Sequence, residues 1–334
     1  MSANAVPTVL GIAILGSGRV ARARLRELND RLDTRVAVVA SRSFDRAYEL
    51  AFPIAAAATD DWEAAIARPD ANAVMVCSAN PYHAPMARAA LEAGKPVSVD
   101  YPLALSLADA ERLVELAQAR GGVLHVEHIE LLSAWFVTLR DALPRLGRIR
   151  GLSWSNVSCR AAAPEDWTFD RAHGFSLFQQ ASLPSRMLAC VGQATWIEGE
   201  ETFSGENGTR FARRATRLRF GFGDDGIGEI TDVLTQEEEA GPTAELRVIG
   251  ENGALIGRQH REVWLVDPGG AEESLPVMPR SGLFGQDIAV FLDTIAGVGR
   301  PYASLDHVIE TLRFADAAER AVRTGQRVSL SPAD

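Results

Sequence analysis

The chain has 334 residues, 47% of them hydrophobic, which is enough for two domains with substantial cores. Its 34 basic and 44 acidic residues give a formal net charge of −10, which argues against a nucleic-acid-binding protein. The three cysteines are far apart and form no CxxC pair, which excludes a disulfide scaffold and a cysteine-built zinc site, so we predict no metal. The sequence shows no signal peptide and no apolar run of the roughly 18–20 residues that a membrane span needs, which predicts a cytoplasmic protein.

The first half of the chain alternates short apolar runs with helical patterns. Strands are predicted over residues 9–15, 35–40, 73–77, 96–99 and 123–126, and helices over residues 19–29, 44–51, 83–93 and 107–119. Alternation of this kind predicts an α/β Rossmann domain with a doubly wound parallel sheet, which we place at residues 1–128.

The second half changes character after residue 128. Strand patterns over residues 148–159, 216–222, 228–234, 246–250, 254–256 and 262–266 are separated mostly by turns, and helical patterns return over residues 286–296 and 304–323. This predicts an α+β domain at residues 129–334 with an open, mainly antiparallel sheet, whose last helices are free to pack back on the first domain. A homo-oligomer through this sheet and a monomer are both compatible with the pattern.

A glycine-rich turn follows the first predicted strand. Residues 16–21, Gly-Ser-Gly-Arg-Val-Ala, match the pattern GxGxxA. The first glycine permits a tight turn, the second lets the backbone approach a pyrophosphate, and the small third residue packs helix on strand. The turn therefore predicts a dinucleotide site formed by Gly16, Ser17, Gly18, Arg19 and Val20, the alternative being a purely structural turn.

The end of the second predicted strand favours one form of the cofactor. An NAD site would place Asp or Glu here, whereas the sequence has Ser41 and Arg42, which suit a 2′-phosphate. We predict NADPH, with NADH possible if Arg42 is only a solvated loop residue. After the third predicted strand, Ser78, Asn80 and His83 are candidates to contact the cofactor, and Asn80 or His83 could also cap the next helix.

Residues 94–106, Gly-Lys-Pro-Val-Ser-Val-Asp-Tyr-Pro-Leu-Ala-Leu-Ser, resemble the strand-loop-helix segment of the Gfo/Idh/MocA oxidoreductases. That family usually has Glu-Lys-Pro where this sequence has Asp100, Tyr101 and Pro102. The resemblance implies that Asp100 and Tyr101 lie at the reacting end of the cofactor. A phenol, with a reference pKa of about 10, is a poor base at neutral pH, so oxidation of sugar alcohols is disfavoured.

The tyrosine form and the segment that follows resemble the biliverdin reductases within this family. Residues 124–132, Leu-His-Val-Glu-His-Ile-Glu-Leu-Leu, carry the resemblance, together with residues 166–169, 173–175 and 281–287. It implies hydride transfer from NADPH to the C10 methine carbon of a linear tetrapyrrole, biliverdin, giving bilirubin, with Tyr101 orienting the substrate or stacking on it.

One part of the resemblance is out of register. The biliverdin reductases have a Ser-Arg pair where this chain reads Ser182 and Leu183, and Ser185 and Arg186 lie three residues further on, about one helical turn. We predict that Arg186 binds the substrate and donates or polarises a proton, through a water because of its high pKa. If Arg186 points elsewhere, the alternatives are another conjugated or imine substrate, or a non-catalytic NADP-binding sensor.

Two further groups of polar residues invite a functional interpretation. Strand alternation should send His125 and Glu127 to one face and His128 to the other, which favours structural hydrogen bonding over a metal site, with Glu127 or His128 facing the nicotinamide and His128 a substrate candidate. In the second domain, Arg217 and Arg219 share a strand face and could bind the propionates of a tetrapyrrole. The alternative is a solvated face or an oligomer interface with acidic partners.

Overall fold

The computed structural model describes residues 9–160, 169–171, 181–236, 243–280 and 282–330. Contacts between Cα atoms divide the chain into two compact units. The first comprises Met1–Leu132 and Ser281–Ile309, and the second comprises Ser133–Arg280 and Glu310–Asp334. Segments 166–168 and 173–175 and residue Ser281, which carried part of the predicted resemblance, lie outside the described residues.

The elements follow one another in this order along the described chain. The first stretch contains β1 (Leu10–Leu15), α1 (Arg19–Asn29), β2 (Thr34–Ala40), α2 (Phe44–Ala51), β3 (Ala57–Thr59), α3 (Trp62–Ala67), β4 (Ala73–Val76), α4 (His83–Glu92), β5 (Val97–Val99), α5 (Leu107–Arg120) and β6 (Leu124–Val126). The rest contains α6 (Ala134–Ala142), β7 (Ile149–Cys159), α7 (Ser182–Val191), β8 (Ala194–Ser204), β9 (Arg213–Phe222), β10 (Gly226–Thr235), β11 (Thr243–Gly250), β12 (Gly253–Arg258), β13 (Glu262–Val266), β14 (Glu272–Leu275), α8 (Leu283–Ile295), α9 (Leu305–Thr324) and β15 (Val328–Ser329).

The first unit contains a six-stranded sheet in the order β3-β2-β1-β4-β5-β6. All its strand pairs are parallel, and the order is that of a doubly wound Rossmann sheet, which confirms the predicted fold. Every residue of β1 is buried, as its continuous apolar run predicted, because helices cover both faces of such a sheet. Strand β3 and helix α3 escaped prediction, since β3 is only three residues long and half-buried.

Helix α8 returns to the first unit and contacts α1. Its buried Ile288 and Phe291 belong to the same apolar cluster as Leu25 and Leu28 of α1. The buried residues of α1, at positions 21, 24, 25 and 28, follow helical spacing, and the second of them is an arginine, Arg24. The interface between these helices therefore combines an apolar seam with a buried charge.

The second unit contains a nine-stranded sheet in the order β14-β13-β12-β11-β7-β10-β9-β8-β15. The β7–β10 pair is parallel and the other pairs are antiparallel, which confirms the predicted α+β class with a mainly antiparallel sheet. Strand β8 was not predicted because its polar sequence hides the apolar alternation. Two of its three glutamates lie opposite arginines of β9, for example Glu200 opposite Arg217. Within the described residues, no helix is both long and apolar enough to cross a membrane.

Candidate active site

The parallel strands of the first unit end level with one another. Leu15 pairs with Ala40 and with Val76, and Val99 pairs with Val76 and with Val126. The residues that follow these strands form one row at the carboxyl edge: Gly16, Ser41, Cys77, Asp100 and Glu127. The strand register therefore brings most of the predicted site residues of the first unit together. They lie at the edge where doubly wound sheets bind their ligands.

The glycine turn has the geometry that a pyrophosphate requires. Gly16 has a φ of +139°, and a Cβ there would lie 2.2 Å from the carbonyl oxygen of Cys77, so only glycine fits. A Cβ on Gly18 would meet no protein atom within 4 Å, so that side of the turn is open. Gly18 caps α1, and within the described residues no side chain accepts the first N–H groups of the helix, whose first turn carries no acidic residue. These N–H groups suit an anion, so the residues fit a dinucleotide.

The loop after β2 faces the glycine turn. The hydroxyl oxygens of Ser17 and Ser41 lie 2.8 Å apart, so one hydroxyl donates to the other. The Arg42 side chain is exposed, and its guanidinium carbon lies 5.7 Å from the centre of the Tyr82 ring. Arg19, at the start of α1, is also exposed, and Val20 is half-buried.

The loop after β4 carries three of the predicted cofactor residues. Ser78 and Asn80 are half-buried, whereas His83 is buried. Its ring nitrogens lie 2.7 Å from the carbonyl oxygen of Pro102 and 3.0 Å from that of Ser78, so the ring bonds within the protein and ties the loop to the end of β5. The residue at the N-cap of α4 is Tyr82, and no side chain caps this helix, so the prediction of a capping role for Asn80 or His83 was wrong.

Asp100 follows β5 and is held by a buried arginine. Arg24 is 1% exposed, and its Nε and NH2 groups donate to Oδ1 of Asp100 at 3.1 and 2.9 Å. Its NH1 group donates to Oδ2 of Asp287 at 2.6 Å. Although burial acts to lower it, the carboxylates of Asp287 and Asp100 raise the pKa of Arg24 well above its ordinary value. Burial raises the pKa of Asp100, against the opposing charge of Arg24.

Asp287, on α8, accepts hydrogen bonds from two further residues of this cluster. Its Oδ1 accepts from Nε2 of His125 at 2.7 Å and from the Tyr302 hydroxyl at 2.6 Å. Although burial acts to raise it, Arg24 and His125 lower the pKa of Asp287 well below its ordinary value. The Tyr302 oxygen in turn accepts the backbone N–H of His128 at 2.9 Å. The cluster thus links α1, α8 and the ends of β5 and β6.

Tyr101 lies against the ring of His128. The two rings are stacked, with centroids 5.8 Å apart and an interplanar angle of 10°. Tyr101 is half-buried and His128 is buried. Burial, with the charges of His307 and His125, lowers the pKa of His128 to about 3, so its imidazole is neutral at physiological pH. The phenol ring that follows β5 therefore packs against a neutral, flat side chain.

Glu127 adds a third buried carboxyl to the cluster. It is 3% exposed, and its Oε1 accepts the N–H of Ile129 at 2.8 Å. Burial, together with the charges of Asp100 and Asp287, raises the pKa of Glu127 to about 8. The side chain is therefore mainly protonated at neutral pH. No group of three or more potential metal ligands occurs in the part of the chain that the structure describes.

The remaining predicted residues belong to the second unit. Arg186, on α7, is 6% exposed, and its guanidinium carbon lies 4.8 Å from the ring centre of Trp154 and 5.9 Å from that of Trp135. Its Nε donates to the carbonyl oxygen of Ser182 at 3.4 Å. Two indole rings therefore pack beside the guanidinium group of Arg186.

Two of the four arginines of β9, Arg217 and Arg219, lie on an exposed face. The Arg217 and Arg219 side chains are 67% and 50% exposed. Arg217 pairs with Glu200 at 3.0 Å, and Arg219 lies 3.7 Å from Glu198. This pairing matches the alternative of a charged sheet face with acidic partners. A role for these arginines in binding substrate propionates, and a homo-oligomer through this sheet, stay predictions.

The chain contains one lysine, Lys95. Its ammonium donates to the carbonyl oxygens of Ile66 and Arg68, the latter at 2.8 Å. Lys95 precedes β5, whereas Asp100 and Tyr101 follow it, about 15 Å further along an extended strand. No lysine amine is therefore available at the position where Gfo/Idh/MocA dehydrogenases have one.

Three residues of this cluster, Arg24, Asp287 and Tyr302, were not predicted from the sequence. Arg24 had a signal, since an arginine on the apolar stripe of an amphipathic helix must find a buried partner. Asp287 and Tyr302 had none, because they lie more than 150 residues from the strands that they contact.

Comparisons with known proteins agree with this geometry. Residues 10–128 match the family model described as the oxidoreductase family, NAD-binding Rossmann fold (GFO_IDH_MocA). Biliverdin reductase A of Mus musculus is 34% identical over 194 residues, which cover 56% of this chain but only 60% of that enzyme. A dTDP-3,4-didehydro-2,6-dideoxy-alpha-D-glucose 3-reductase of Streptomyces violaceoruber is 28% identical over 283 residues, covering 80% of this chain and 79% of the relative.

Among solved structures, the biliverdin reductase of Synechocystis sp. PCC 6803, crystallised with biliverdin and NADP+, is similar over nearly its whole length. The TM-score is 0.87 and the identity 26%, and the match covers 94% of this chain and 99% of that chain. Together with the glycine turn and the strand order, these matches identify the first unit as a dinucleotide-binding domain. Residues 10–128 thus match the NAD-binding Rossmann domain of the Gfo/Idh/MocA oxidoreductase family.

Proposed function

We propose that this protein is an NADPH-dependent reductase of biliverdin, which it converts to bilirubin by hydride transfer to the C10 methine carbon. One observation carries the proposal: Tyr101 occupies the position after Asp100 where relatives have lysine, and the chain's single lysine lies at the other end of β5. Oxidation of an alcohol needs a base near the hydroxyl, which a phenol at neutral pH does not supply. The likeness to the Synechocystis enzyme supports this reading.

The cofactor would lie along the carboxyl edge of the first sheet. The glycine turn and the N-terminus of α1 would bind its pyrophosphate, and Ser41 and Arg42 its 2′-phosphate. Asp100 and Tyr101 would lie at the nicotinamide end. When bound, NADPH supplies the hydride, and the protein must provide a surface for the acceptor and a route for one proton.

Tyr101 is suited to the first of these tasks. Biliverdin is a conjugated, largely flat molecule, and an aromatic ring offers it a stacking face. Because His128 is neutral and stacked on the other side of Tyr101, the pair places no charge beneath the acceptor. Asp100 would then have a structural role and no part in proton transfer, because its carboxylate accepts hydrogen bonds from Arg24.

Arg186 is suited to the second task. Reduction of the methine carbon must be balanced by a proton on a pyrrole nitrogen. A guanidinium does not give up a proton at neutral pH, so Arg186 would orient and acidify a water through its in-plane N–H groups. The Trp135 and Trp154 rings, which lie beside the guanidinium group, would restrict its movement.

The test is NADPH oxidation with biliverdin, followed by the growth of bilirubin absorbance. With NADPH deuterated at the transferable position, we expect deuterium at C10 of the product. Arg186→Ala should lose on the order of 100-fold in kcat, the loss of one transition-state donor, and Tyr101→Phe only about threefold, since the stacking face remains. Lys95→Met is the matched control and should retain full activity. No bilirubin with the unmodified protein would refute the proposal.

A second candidate is reduction of a keto sugar, which the Streptomyces relative favours because it covers 80% of this chain. In that reaction the Tyr101 hydroxyl would donate a proton to the carbonyl oxygen. Tyr101→Phe therefore separates the two functions, because removal of the proton donor should cost at least about 100-fold for a ketone and little for a stacked tetrapyrrole.

A further inference from the structure

The loop between β4 and α4 places an aromatic ring beside the arginine after β2. Tyr82 is 38% exposed, and the guanidinium carbon of Arg42 lies 5.7 Å from its ring centre. The ring sits on one turn of 3-10 helix, Asn80–Tyr82, with Pro81 in its first turn. The Tyr82 N–H donates to the carbonyl oxygen of Ala79 at 2.9 Å. A backbone hydrogen bond therefore closes the turn that carries the ring.

The next residue anchors this turn to the sheet. Both ring nitrogens of the buried His83 lie within 3.0 Å of backbone carbonyl oxygens, those of Pro102 and Ser78. Pro102 follows β5, so the turn is tied to a neighbouring strand end as well as to β4. Tyr82 thus offers its ring on an anchored loop rather than on a free one.

Arg42 is held by this ring and by no carboxylate. The described residues include no ion pair of Arg42, although other exposed arginines of the chain, such as Arg112 and Arg217, have one. Contact with a ring uses the flat face of a guanidinium and leaves its in-plane N–H donors for an anion. Beside it, the Ser17 and Ser41 hydroxyls share one hydrogen bond, so one O–H remains to donate.

We propose that Tyr82 is a positioning residue for cofactor selectivity, which holds the Arg42 guanidinium where a 2′-phosphate would bind. Tyr82 preorganises the guanidinium of Arg42, so that less side-chain entropy is lost when the phosphate binds. A cofactor without the 2′-phosphate gains nothing from this arrangement. The proposal deepens the proposed function, on whose preference for NADPH it rests, and names a residue that increases that preference through Arg42.

The experiment measures binding of NADP+ and NAD+ by calorimetry at one fixed salt concentration, without any substrate. Tyr82→Ala should weaken NADP+ binding roughly 3- to 10-fold and leave NAD+ binding unchanged. Tyr82→Phe should bind both as the unmodified protein does, because the ring face remains. Arg42→Ala should weaken NADP+ binding roughly 10- to 100-fold, and Tyr82→Ala should cause no further loss in that background.

Three outcomes would overturn the proposal. Equal weakening of NAD+ and NADP+ by Tyr82→Ala would mean that the ring contacts the part that both cofactors share. A full effect of Tyr82→Ala in the Arg42→Ala background would show that the ring does not act through Arg42. Equal affinity of the unmodified protein for both cofactors would remove the NADPH preference itself. A failure to reduce biliverdin would refute the proposed substrate and leave these binding results standing.

Discussion

The buried carboxyl of Glu127 makes a specific prediction about stability and pH. Folding raises its pKa from an ordinary 4.5 to about 8. Between these values the folded state binds about one proton more than the unfolded state, so the free energy of unfolding falls as pH rises. This contribution is complete below the unfolded pKa and is lost as pH rises through the folded pKa.

The magnitude follows from 1.36 kcal/mol for each proton and pH unit. Between pH 6.5 and pH 8, with half of the side chain ionised at the upper end, the loss is about 1.5 kcal/mol. The depressed pKa of His128, about 3, affects stability mainly below the ordinary histidine value of 6.5, and the remainder cancels because the unmodified protein and the Glu127→Gln variant both contain this residue. Glu127→Gln keeps an oxygen for the Ile129 N–H but cannot ionise, so the variant should lack this loss.

The assay is urea unfolding of the unmodified protein and the variant at several pH values between 6.5 and 8. We expect the variant to gain about 1.5 kcal/mol relative to the unmodified protein across the window. Glu115→Gln, an exposed change on α5, is the control and should leave the pH dependence as it was. Parallel curves for Glu127→Gln and the unmodified protein would show that Glu127 is ionised in the fold and would refute the reasoning.

Three further predictions concern the same unit. Arg24→Met should lower the free energy of unfolding, measured by urea unfolding, by about 3–5 kcal/mol, because it leaves two carboxylates buried without their cation. The control, Arg46→Met on the exposed side of α2, should lower it by less than about 0.5 kcal/mol. Gly16→Ala should lower the melting temperature, since its Cβ would lie 2.2 Å from a carbonyl oxygen. Gly18→Ala should leave the melting temperature unchanged and weaken NADP+ binding in calorimetry. Equal melting temperatures for the two variants would contradict this prediction. His128→Ala should raise the KM for biliverdin about three- to tenfold by removing the support of Tyr101, and His128→Phe, which keeps a stacked ring, should restore it.

The cofactor half of the site could be predicted from the sequence because its determinants are local. The turn at Gly16 and Gly18 lies between a buried strand and a helix, and the residues after β2 follow directly from where that strand ends. Since parallel strands of a doubly wound sheet end at one edge, Ser41, Ser78 and Asp100 were expected near the glycine turn, and the register places them there. The one local error, a capping role for Asn80 or His83, arose because a 3-10 turn precedes α4 and both ring nitrogens of His83 have backbone partners.

The charge cluster could not be predicted, because its partners are distant along the chain. Arg24 and Asp287 are separated by 263 residues and meet only because α8 packs on α1. A buried guanidinium between two carboxylates adds little net stability, since the cost of removing three charges from water offsets their attraction. Its effect is geometric: a displaced Asp100 would move Tyr101, and a displaced Asp287 would release Tyr302 and, through it, the backbone of His128. The same few hydrogen bonds therefore set both members of the stacked pair that the proposed reaction needs, which explains why charge is kept at a helix seam that apolar residues could fill.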